Sequence, residues 1–151
     1  MIRKIISGGQ TGADIAGLYV AKVLGLEAGG HIPKGFLTQK GRKYEYGPIF
    51  GLVETESATY PERTELNVLN SDGTVRFAEF WESPGERCTK KYIDKHNKPY
   101  WDVKDLSDIS SFLTWIKENN IQVLNVAGNS ERTSPGIQSL VQDFLLEALH
   151  G

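Results

Sequence analysis

Residues 4–14 read KIISGGQTGAD, and they join a run of β-branched residues to a helical pattern. The run over residues 2–6 predicts a first strand, which ends at the glycines. Residues 12–25 then carry small and apolar side chains at helical spacing, which predicts a helix able to lie close to a sheet. A strand, a glycine loop and a helix in this order indicate an alternating α/β fold.

The same alternation continues through the chain. Periodicity and turn residues predict further strands near residues 28–32, 74–80, 99–104 and 121–127, and the remainder of residues 26–51 as a long loop. Further helices are predicted over residues 59–69, 86–96, 108–118 and 135–149. Such alternation predicts one three-layer α/β/α domain over residues 1–151, with a mostly parallel central sheet. Ligands of these sheets bind beyond the carboxyl ends of the strands.

Three of the predicted helices carry capping signals at their first residues. Thr59 and Glu62 have the spacing of a capping box, with a proline in the first turn. Ser107 is the predicted cap of the helix that follows it, and Ser134 precedes a proline at the first helical position.

Composition narrows the function classes. The chain has 17 Lys and Arg against 19 Asp and Glu, a formal charge of −2, so we expect no nucleic acid or membrane surface as a partner. Its single cysteine, Cys88, excludes an internal disulfide framework and is typical of a reducing compartment. Neither a signal-peptide pattern nor an apolar run of roughly 20 residues is visible. These features predict a cytoplasmic protein.

The glycine loop between the first strand and the first helix is the leading candidate site. Backbone N–H groups and the helix dipole meet there, which suits a phosphate or another anion. The alternative is a tight turn that binds no ligand. Asp14 suits the helix dipole but repels an anion, so we expect it to cap the helix or to accept a hydrogen bond from a ligand N–H or O–H. The candidate residues in this loop are Ser7, Gly8, Gly9, Gln10, Thr11, Gly12 and Asp14.

Further candidates lie on the loop after the second strand and on the helix that begins near residue 60. Lys34 is a candidate counter-charge for an anion, and the alternative is a solvated loop lysine. Arg63 or Thr64, together with Asn67, forms a polar stripe at helical spacing. Arg63 suits an anion and Asn67 can read a ring edge, although an exposed helix face explains the stripe as well.

The second half of the chain offers two more junctions. Gly85 and Thr89 belong to residues 83–89, a stretch after a predicted strand that could present a second anion-facing loop at the start of the next helix; the alternative is an ordinary surface loop. Asn125 is polar within an apolar strand, and a buried amide needs a partner. The junction after that strand adds the candidates Gly128, Arg132 and Ser134. Three scattered histidines and one cysteine give no zinc-ligand spacing, so no metal site is predicted.

Several motifs together resemble the molybdenum carrier family. They are KIISGGQTGAD, GGHIPKG, ATYPERTELNV, NSDGT, NKPY and VLNVAGNSERTSPGI, which run in order through nearly the whole chain. That family is a branch of the Rossmann-like superfamily that also holds cytokinin-activating phosphoribohydrolases and the DNA-processing protein DprA. The resemblance implies a Rossmann-like fold, homo-oligomers (dimer or tetramer), and binding of the molybdenum cofactor (molybdopterin), a pterin dithiolene with a terminal phosphate. It also implies partners among molybdoenzymes or the proteins that make the cofactor.

One departure bears on catalysis. The phosphoribohydrolases carry PGGxGTxxE, in which the glutamate is the catalytic acid. Aligned on Pro84, Gly85 and Thr89, this chain has Tyr92 at the glutamate position and Glu86 at the second glycine. The resemblance therefore favours a carrier over a nucleotide hydrolase.

The leading hypothesis is a binding protein for a phosphorylated pterin. The glycine loop would hold phosphate, Lys34 and Arg132 would neutralise charge, and Asn67 or Asn125 would read the heterocycle. One alternative is an enzyme acting on a nucleotide or sugar phosphate, with an acid or base drawn from Asp14, Glu62 and Glu65. Another is a nucleotide sensor or DNA-associated module of the same superfamily.

Overall fold

The computed structural model describes residues 1–150. Its strands, in chain order, are β1 (Lys4–Ile6), β2 (Glu27–Ile32), β3 (Leu37–Thr38), β4 (Gly41–Arg42), β5 (Leu52–Glu54), β6 (Gly73–Phe77), β7 (Tyr100–Val103) and β8 (Val123–Gly128). Its helices are α1 (Ala13–Leu24), α2 (Tyr46–Phe50), α3 (Tyr60–Leu69), α4 (Pro84–Lys95), α5 (Ile109–Glu118) and α6 (Ile137–Leu149).

The central sheet has six strands in the order β5-β2-β1-β8-β6-β7, and every neighbouring pair is parallel. From β1 the chain winds outward through β2 to β5, and it then crosses to β6, which lies between β8 and β7. The winding direction therefore changes between β1 and β8. The loops that follow these two strands diverge there and leave a crevice at the carboxyl edge of the sheet. The predicted α/β fold with a parallel sheet is confirmed.

Two apolar clusters hold the helices to the sheet. The larger one joins the sheet to α1, α5 and α6, and it includes the buried rings of Phe112 and Phe144, whose centroids are 5.4 Å apart. The smaller one joins α1 to β2, α2 and β5, and its members include Leu18, Ile32, Phe50 and Leu52. Burial of each large side chain contributes about 1.5–3 kcal/mol. On α3, contacts run instead to α4 and β2, and these two helices carry polar groups toward the crevice.

The small face of α1 lies against the sheet, as the sequence predicts. A Cβ atom on Gly17 would lie 2.7 Å from the Cβ of Val126 in β8, closer than two carbon atoms can approach. The residues of α1 that face inward are alanine, glycine and short aliphatics. The first turn of α1 is therefore held close to the end of β8.

The prediction of a long loop after β2 is wrong. This region folds into the antiparallel hairpin β3–β4, the five-residue helix α2 and the edge strand β5. Periodicity did not reveal these elements because they are two to five residues long. In β5 both Val53 and Glu54 are exposed, so no alternation marks the strand.

The predicted cap of the last helix is also wrong. The helix α6 begins at Ile137, and Ser134 donates to Glu79 Oε2 at 2.9 Å rather than accepting from the helix. The carboxylate of Glu131 accepts from the N–H groups of Gly136 at 2.7 Å and Gln138 at 2.8 Å. Because Glu131 satisfies these amides, the serine hydroxyl is released for another role.

Two further caps differ from the prediction. Asp108, not Ser107, caps α5 and accepts from the N–H of Ser111 at 3.1 Å. Thr59 makes no side-chain cap on α3, and Glu62 accepts from the N–H of Ser57 at 2.9 Å. The carboxylate of Glu62 thus stabilises the segment that precedes the helix rather than its first turn.

The helices are short. The longest, α6, spans 13 residues, and within residues 1–150 no helix is both long and apolar enough to cross a lipid bilayer.

Candidate functional site

A cavity of about 220 Å³ lies at the carboxyl edge of the sheet, where the loops after β1 and β8 diverge. We call it the central pocket. The first turns of α3 and α4 and the tip of the β3–β4 hairpin complete its wall. Its lining residues are Gln10, Thr11, Asp14, Gln39, Tyr60, Arg63, Ser83, Pro84, Gly85, Glu86, Gly128, Asn129, Ser130 and Thr133.

The structure gathers most of the predicted site residues around this pocket. Gln10, Thr11, Asp14, Arg63, Gly85 and Gly128 line it directly. A small adjoining space, which shares Asp14 and Arg63, is lined by Gly8, Thr64, Asn67, Thr89 and Asn125. Neither cavity is lined by Ser7, Gly9, Gly12, Lys34, Arg132 or Ser134. Of these, Lys34 and Arg132 are exposed to solvent.

An ion pair forms one wall of the central pocket. Arg63 Nη1 lies 3.3 Å from Asp14 Oδ2, and both side chains are largely buried. Gly8 makes room for this contact, because a Cβ there would lie 2.1 Å from Arg63 Nη1. Burial raises the pKa of Asp14, while the guanidinium of Arg63 acts in the opposite direction. The charge of Arg63 is therefore directed at Asp14 as well as at the pocket.

Three backbone N–H groups of the glycine loop already donate hydrogen bonds to side-chain oxygen atoms of the protein. The N–H of Gln10 donates to Asp14 Oδ2 at 3.3 Å, and the N–H of Gly9 donates to Ser7 Oγ at 3.3 Å. Thr11 donates to Gln39 Oε1 from its backbone N–H at 3.2 Å and from its hydroxyl at 3.3 Å. The amide oxygen of Gln39 thus occupies the position where the sequence predicts an anion.

The two asparagines predicted to read a heterocycle have structural partners. Asn67 Oδ1 accepts from the N–H of His31 at 2.8 Å, and its Nδ2 donates to the carbonyl of the same residue at 3.0 Å. These bonds attach α3 to β2. Asn125 Nδ2 donates to Thr74 Oγ1 at 3.1 Å and so links β8 to β6.

Glu86 and Asn129 are pocket residues that the sequence analysis did not select. The predicted loop over residues 83–89 is wrong, because α4 begins at Pro84 and both Gly85 and Thr89 are helical. Glu86 lies in the first turn of this helix and is 3% exposed. Its Oε2 accepts from Asn129 Nδ2 at 3.1 Å and from Ser83 Oγ at 3.4 Å. Asn129 directly follows the buried strand β8, a position at the change of winding that could have marked it.

Glu86 is an acid that titrates near neutral pH. Burial raises the pKa of its carboxyl to about 7, although the guanidinium of Arg76 acts against this effect. The carboxylate of Asp14 raises the pKa further, and the hydrogen bonds from Asn129 and Ser83 lower it. A proton on Glu86 is thus readily gained or lost at the wall of the central pocket.

A larger open cavity of about 460 Å³ reaches Glu86 from the side of β6 and β7. Arg76 lies there and donates to both carboxylate oxygens of Asp102, at 2.7 and 2.8 Å. The guanidinium carbon is 5.2 Å from the ring centroid of Trp81. The central pocket is the stronger candidate for a ligand site, because its loops follow the two strands at the change of winding and its polar atoms are less fully paired.

No group of three or more metal-ligating side chains with the geometry to hold an ion occurs within residues 1–150. Cys88 is a free, half-buried thiol on α4 and lines neither the central pocket nor the adjoining space. The polar surface of the central pocket consists of amides, hydroxyls, two carboxylates and one guanidinium. This set of groups is suited to hydrogen bonding with a polar organic ligand.

The parallel sheet and the pocket at its change of winding define a Rossmann-like α/β protein. The chain belongs to the circularly permutated YpsA SLOG family, whose sequence profile matches residues 5–149. It is also similar to a solved structure from Syntrophus aciditrophicus SB, described as a "putative molybdenum carrier protein". That structure is 38% identical, with a TM-score of 0.88 over 98% of this chain and 95% of the other. The curated proteins give no match.

Proposed function

We propose that this protein is a carrier that binds the molybdenum cofactor, a phosphorylated pterin, as cargo in the central pocket. The observation that carries the proposal is the pocket itself, at the change of winding and lined by hydrogen-bonding groups from five segments. The 38% identity to a protein described as a molybdenum carrier supports the same function.

The position of Gln39 supports a phosphate site at Thr11. Its amide oxygen accepts from the N–H and the hydroxyl of Thr11, so a phosphate oxygen placed there would find two donors. Ser130 and Thr133 line the same side of the pocket and are hydrogen-bonded to each other at 3.2 Å. Arg132 lies between them in sequence and is exposed, so we propose that it neutralises the phosphate charge. Lys34 is proposed as a second, more peripheral counter-charge.

A hydrolase is the second candidate, and Glu86 is the observation that favours it. A buried carboxyl with a pKa of about 7 is suited to general acid or base catalysis on a nucleotide or sugar phosphate. Two other acids considered from the sequence are already paired outside the pocket. Glu65 binds Lys95 and His96, and Glu62 binds the backbone of Ser57. Release of base or phosphate from nucleoside monophosphates, lost in Glu86→Gln, would establish this activity.

The test of the carrier proposal is native mass spectrometry of the protein purified without added ligand, followed by metal and small-molecule analysis. We expect one pterin and one molybdenum or tungsten per bound chain. Thr11→Val should reduce the occupied fraction about 10-fold, whereas Thr114→Val, a control on α5, should leave it unchanged. A nucleotide in place of the pterin would contradict the proposal. So would failure to load with cofactor released from a molybdoenzyme.

We also propose that the protein forms homo-oligomers and passes its cargo to molybdoenzymes or to proteins of cofactor synthesis. The exposed apolar side chains on the outer face of α1, Tyr19 and Val23, support a contact between copies. The same native mass spectra measure the oligomeric state, and a purely monomeric species at micromolar concentration would contradict this part.

A further inference from the structure

Three buried polar atoms of the central pocket have no hydrogen-bond partner. They are Gln10 Oε1, Arg63 Nε and Glu86 Oε1, and within residues 1–150 only His31 Nδ1 shares this property. Buried polar atoms without partners are destabilising and therefore uncommon in folded proteins. Their concentration in one pocket indicates that a ligand supplies the missing partners.

Gln10 presents an acceptor. Its Nε2 donates to the carbonyls of Gly8 at 3.2 Å and Leu37 at 3.0 Å. The reverse orientation of the amide would place an oxygen against two carbonyl oxygens, so the orientation is fixed. The unpartnered atom is consequently the carbonyl oxygen, which can only accept.

Glu86 presents a second acceptor when it is ionised. Asn129 Oδ1 accepts from the N–H groups of Glu79 at 2.9 Å and Phe80 at 3.0 Å, which fixes the orientation of its amide. Asn129 Nδ2 must then donate, and it binds Glu86 Oε2 at 3.1 Å. The other carboxylate oxygen, Oε1, is left for a ligand.

Arg63 presents a donor. Its Nη1 binds Asp14, and the guanidinium lies 5.1 Å from the ring centroid of Tyr60. The Nε–H group has no partner. The buried atoms without partners around the pocket are therefore one donor and two acceptors, and Asp14 and Glu86 both disfavour an oxyanion at this end.

We infer that Arg63, Gln10 and Glu86 recognise the hydrogen-bonding edge of a 2-amino-4-oxopyrimidine ring, the edge that pterins and guanine share. This edge presents a carbonyl acceptor, a ring N–H donor and an amino donor, which complements one donor and two acceptors. The inference rests on the central pocket being the binding site of the proposed function. It assigns the ring to the end with Glu86 and the phosphate to the end with Thr11. This assignment gives Asn67 and Asn125 no part in ligand recognition, because their amides form hydrogen bonds within the protein.

The test compares pterin with lumazine, which carries an oxo group in place of the 2-amino group and is otherwise matched. Both compounds fluoresce, so titration into the purified protein at pH 7.5, where most of each ring keeps its N–H, measures each Kd directly. We expect pterin to bind at least about 10-fold more tightly, because the second oxo group would face an acceptor oxygen.

Glu86→Gln should shift this preference toward lumazine. Asn129 Nδ2 still needs an acceptor, so the carbonyl of the new amide turns to it and the amino group turns to the ligand. A donor then faces the 2-amino group of pterin, and we expect at least a 10-fold fall in the ratio of pterin to lumazine affinity. Glu82→Gln is the matched control, because this exposed carboxylate does not line the central pocket. It should keep the wild-type ratio.

Equal affinities for pterin and lumazine, an unchanged ratio in Glu86→Gln, or no binding of either compound at millimolar concentration would overturn the inference. Guanosine and inosine monophosphates form a second pair, because inosine lacks only the 2-amino group and its base is likewise neutral. Discrimination of this pair without pterin binding would retain the recognition edge and reject the molybdenum carrier function. Loading with molybdenum cofactor, without discrimination within either pair of compounds, would retain the carrier function and reject the recognition edge.

Discussion

Asn129 Nδ2 and Glu86 Oε2 are hydrogen-bonded at 3.1 Å, and this contact joins the loop after β8 to the first turn of α4. Asn129 also accepts from the backbone of residues 79 and 80, so one amide ties together the segments that follow β6 and β8. The buried carboxyl is thereby held in one orientation at the pocket wall. Several consequences for stability and binding can be measured.

The free energy of unfolding should fall as the pH rises from about 5 to 7. Glu86 has an ordinary pKa of 4.5 when unfolded and about 7 when folded, so in this window only the folded chain keeps the proton. Stability from this group is complete below pH 4.5 and is lost as the pH passes 7, by about 3 kcal/mol. The raised pKa of Asp14 acts in the same direction. Urea unfolding at pH 5 and pH 8 measures the difference.

Glu86→Gln is the control for this pH dependence. The variant lacks the titrating group, so its loss of stability between pH 5 and 8 should be smaller by about 2.5 kcal/mol. Equal slopes for the variant and the wild type would show that Glu86 titrates normally in the folded protein.

Arg63→Gln should destabilise the protein by about 3 kcal/mol at pH 7, because Asp14 would remain buried without its cation. The double variant Asp14→Asn with Arg63→Gln should recover most of this loss, since neither side chain of this pair is then charged. Lys90→Gln breaks a more exposed pair with Asp94 and should cost no more than about 0.5 kcal/mol. Urea unfolding at pH 7 measures the free energy of unfolding of all three variants. An Arg63→Gln variant as stable as the wild type would refute the buried ion pair.

Gly8→Ala should displace the guanidinium of Arg63 and destabilise the protein by about 1–3 kcal/mol, because the added methyl would lie 2.1 Å from Nη1. Gly85→Ala is the matched control, since nothing lies within 4 Å of the added atom and the residue is in the first turn of a helix. That variant should be neutral or slightly stabilising. The expected difference disappears if Arg63 is mobile in solution.

Glu131→Ala should cost about 1 kcal/mol, because its carboxylate accepts from two amides at the start of α6. Glu131→Gln should retain part of this stabilisation through its carbonyl oxygen. Ser134→Ala should leave the start of α6 intact, since its hydroxyl binds Glu79 instead. Amide hydrogen exchange of Gly136 and Gln138 shows which residue caps the helix. Faster exchange in Ser134→Ala but not in Glu131→Ala would identify the serine as the cap and contradict this prediction.

The sequence predicted the long elements because their periodicity reports burial directly. The small face of α1 and the apolar stripe of α6 correspond to helices within two residues of the expected bounds. The hairpin and β5 were missed because strands of two or three residues leave no pattern. The resulting gap in the prediction concealed Gln39, which lies between β3 and β4.

The site was predicted less completely than the fold, since residue type alone does not give a side chain its partner. Asn67 was selected as a polar residue on a helix, but its amide is used by the backbone of β2. Glu86 was noticed only as a departure from a glycine-rich motif, because nothing in the sequence shows that this carboxyl is buried. Contacts between distant segments decide both cases.

In the proposed function, a phosphate oxygen would reach Thr11 only by displacing the amide oxygen of Gln39, which already accepts both of its hydrogen bonds. Two donors that already have an acceptor gain little when another acceptor replaces it, so the net free energy is the small difference between two similar interactions. Without a ligand, the N–H and the hydroxyl of Thr11 keep an acceptor in Gln39 Oε1. For the proposed carrier this balance would favour reversible binding, because Gln39, once displaced, competes with the phosphate for the same two donors.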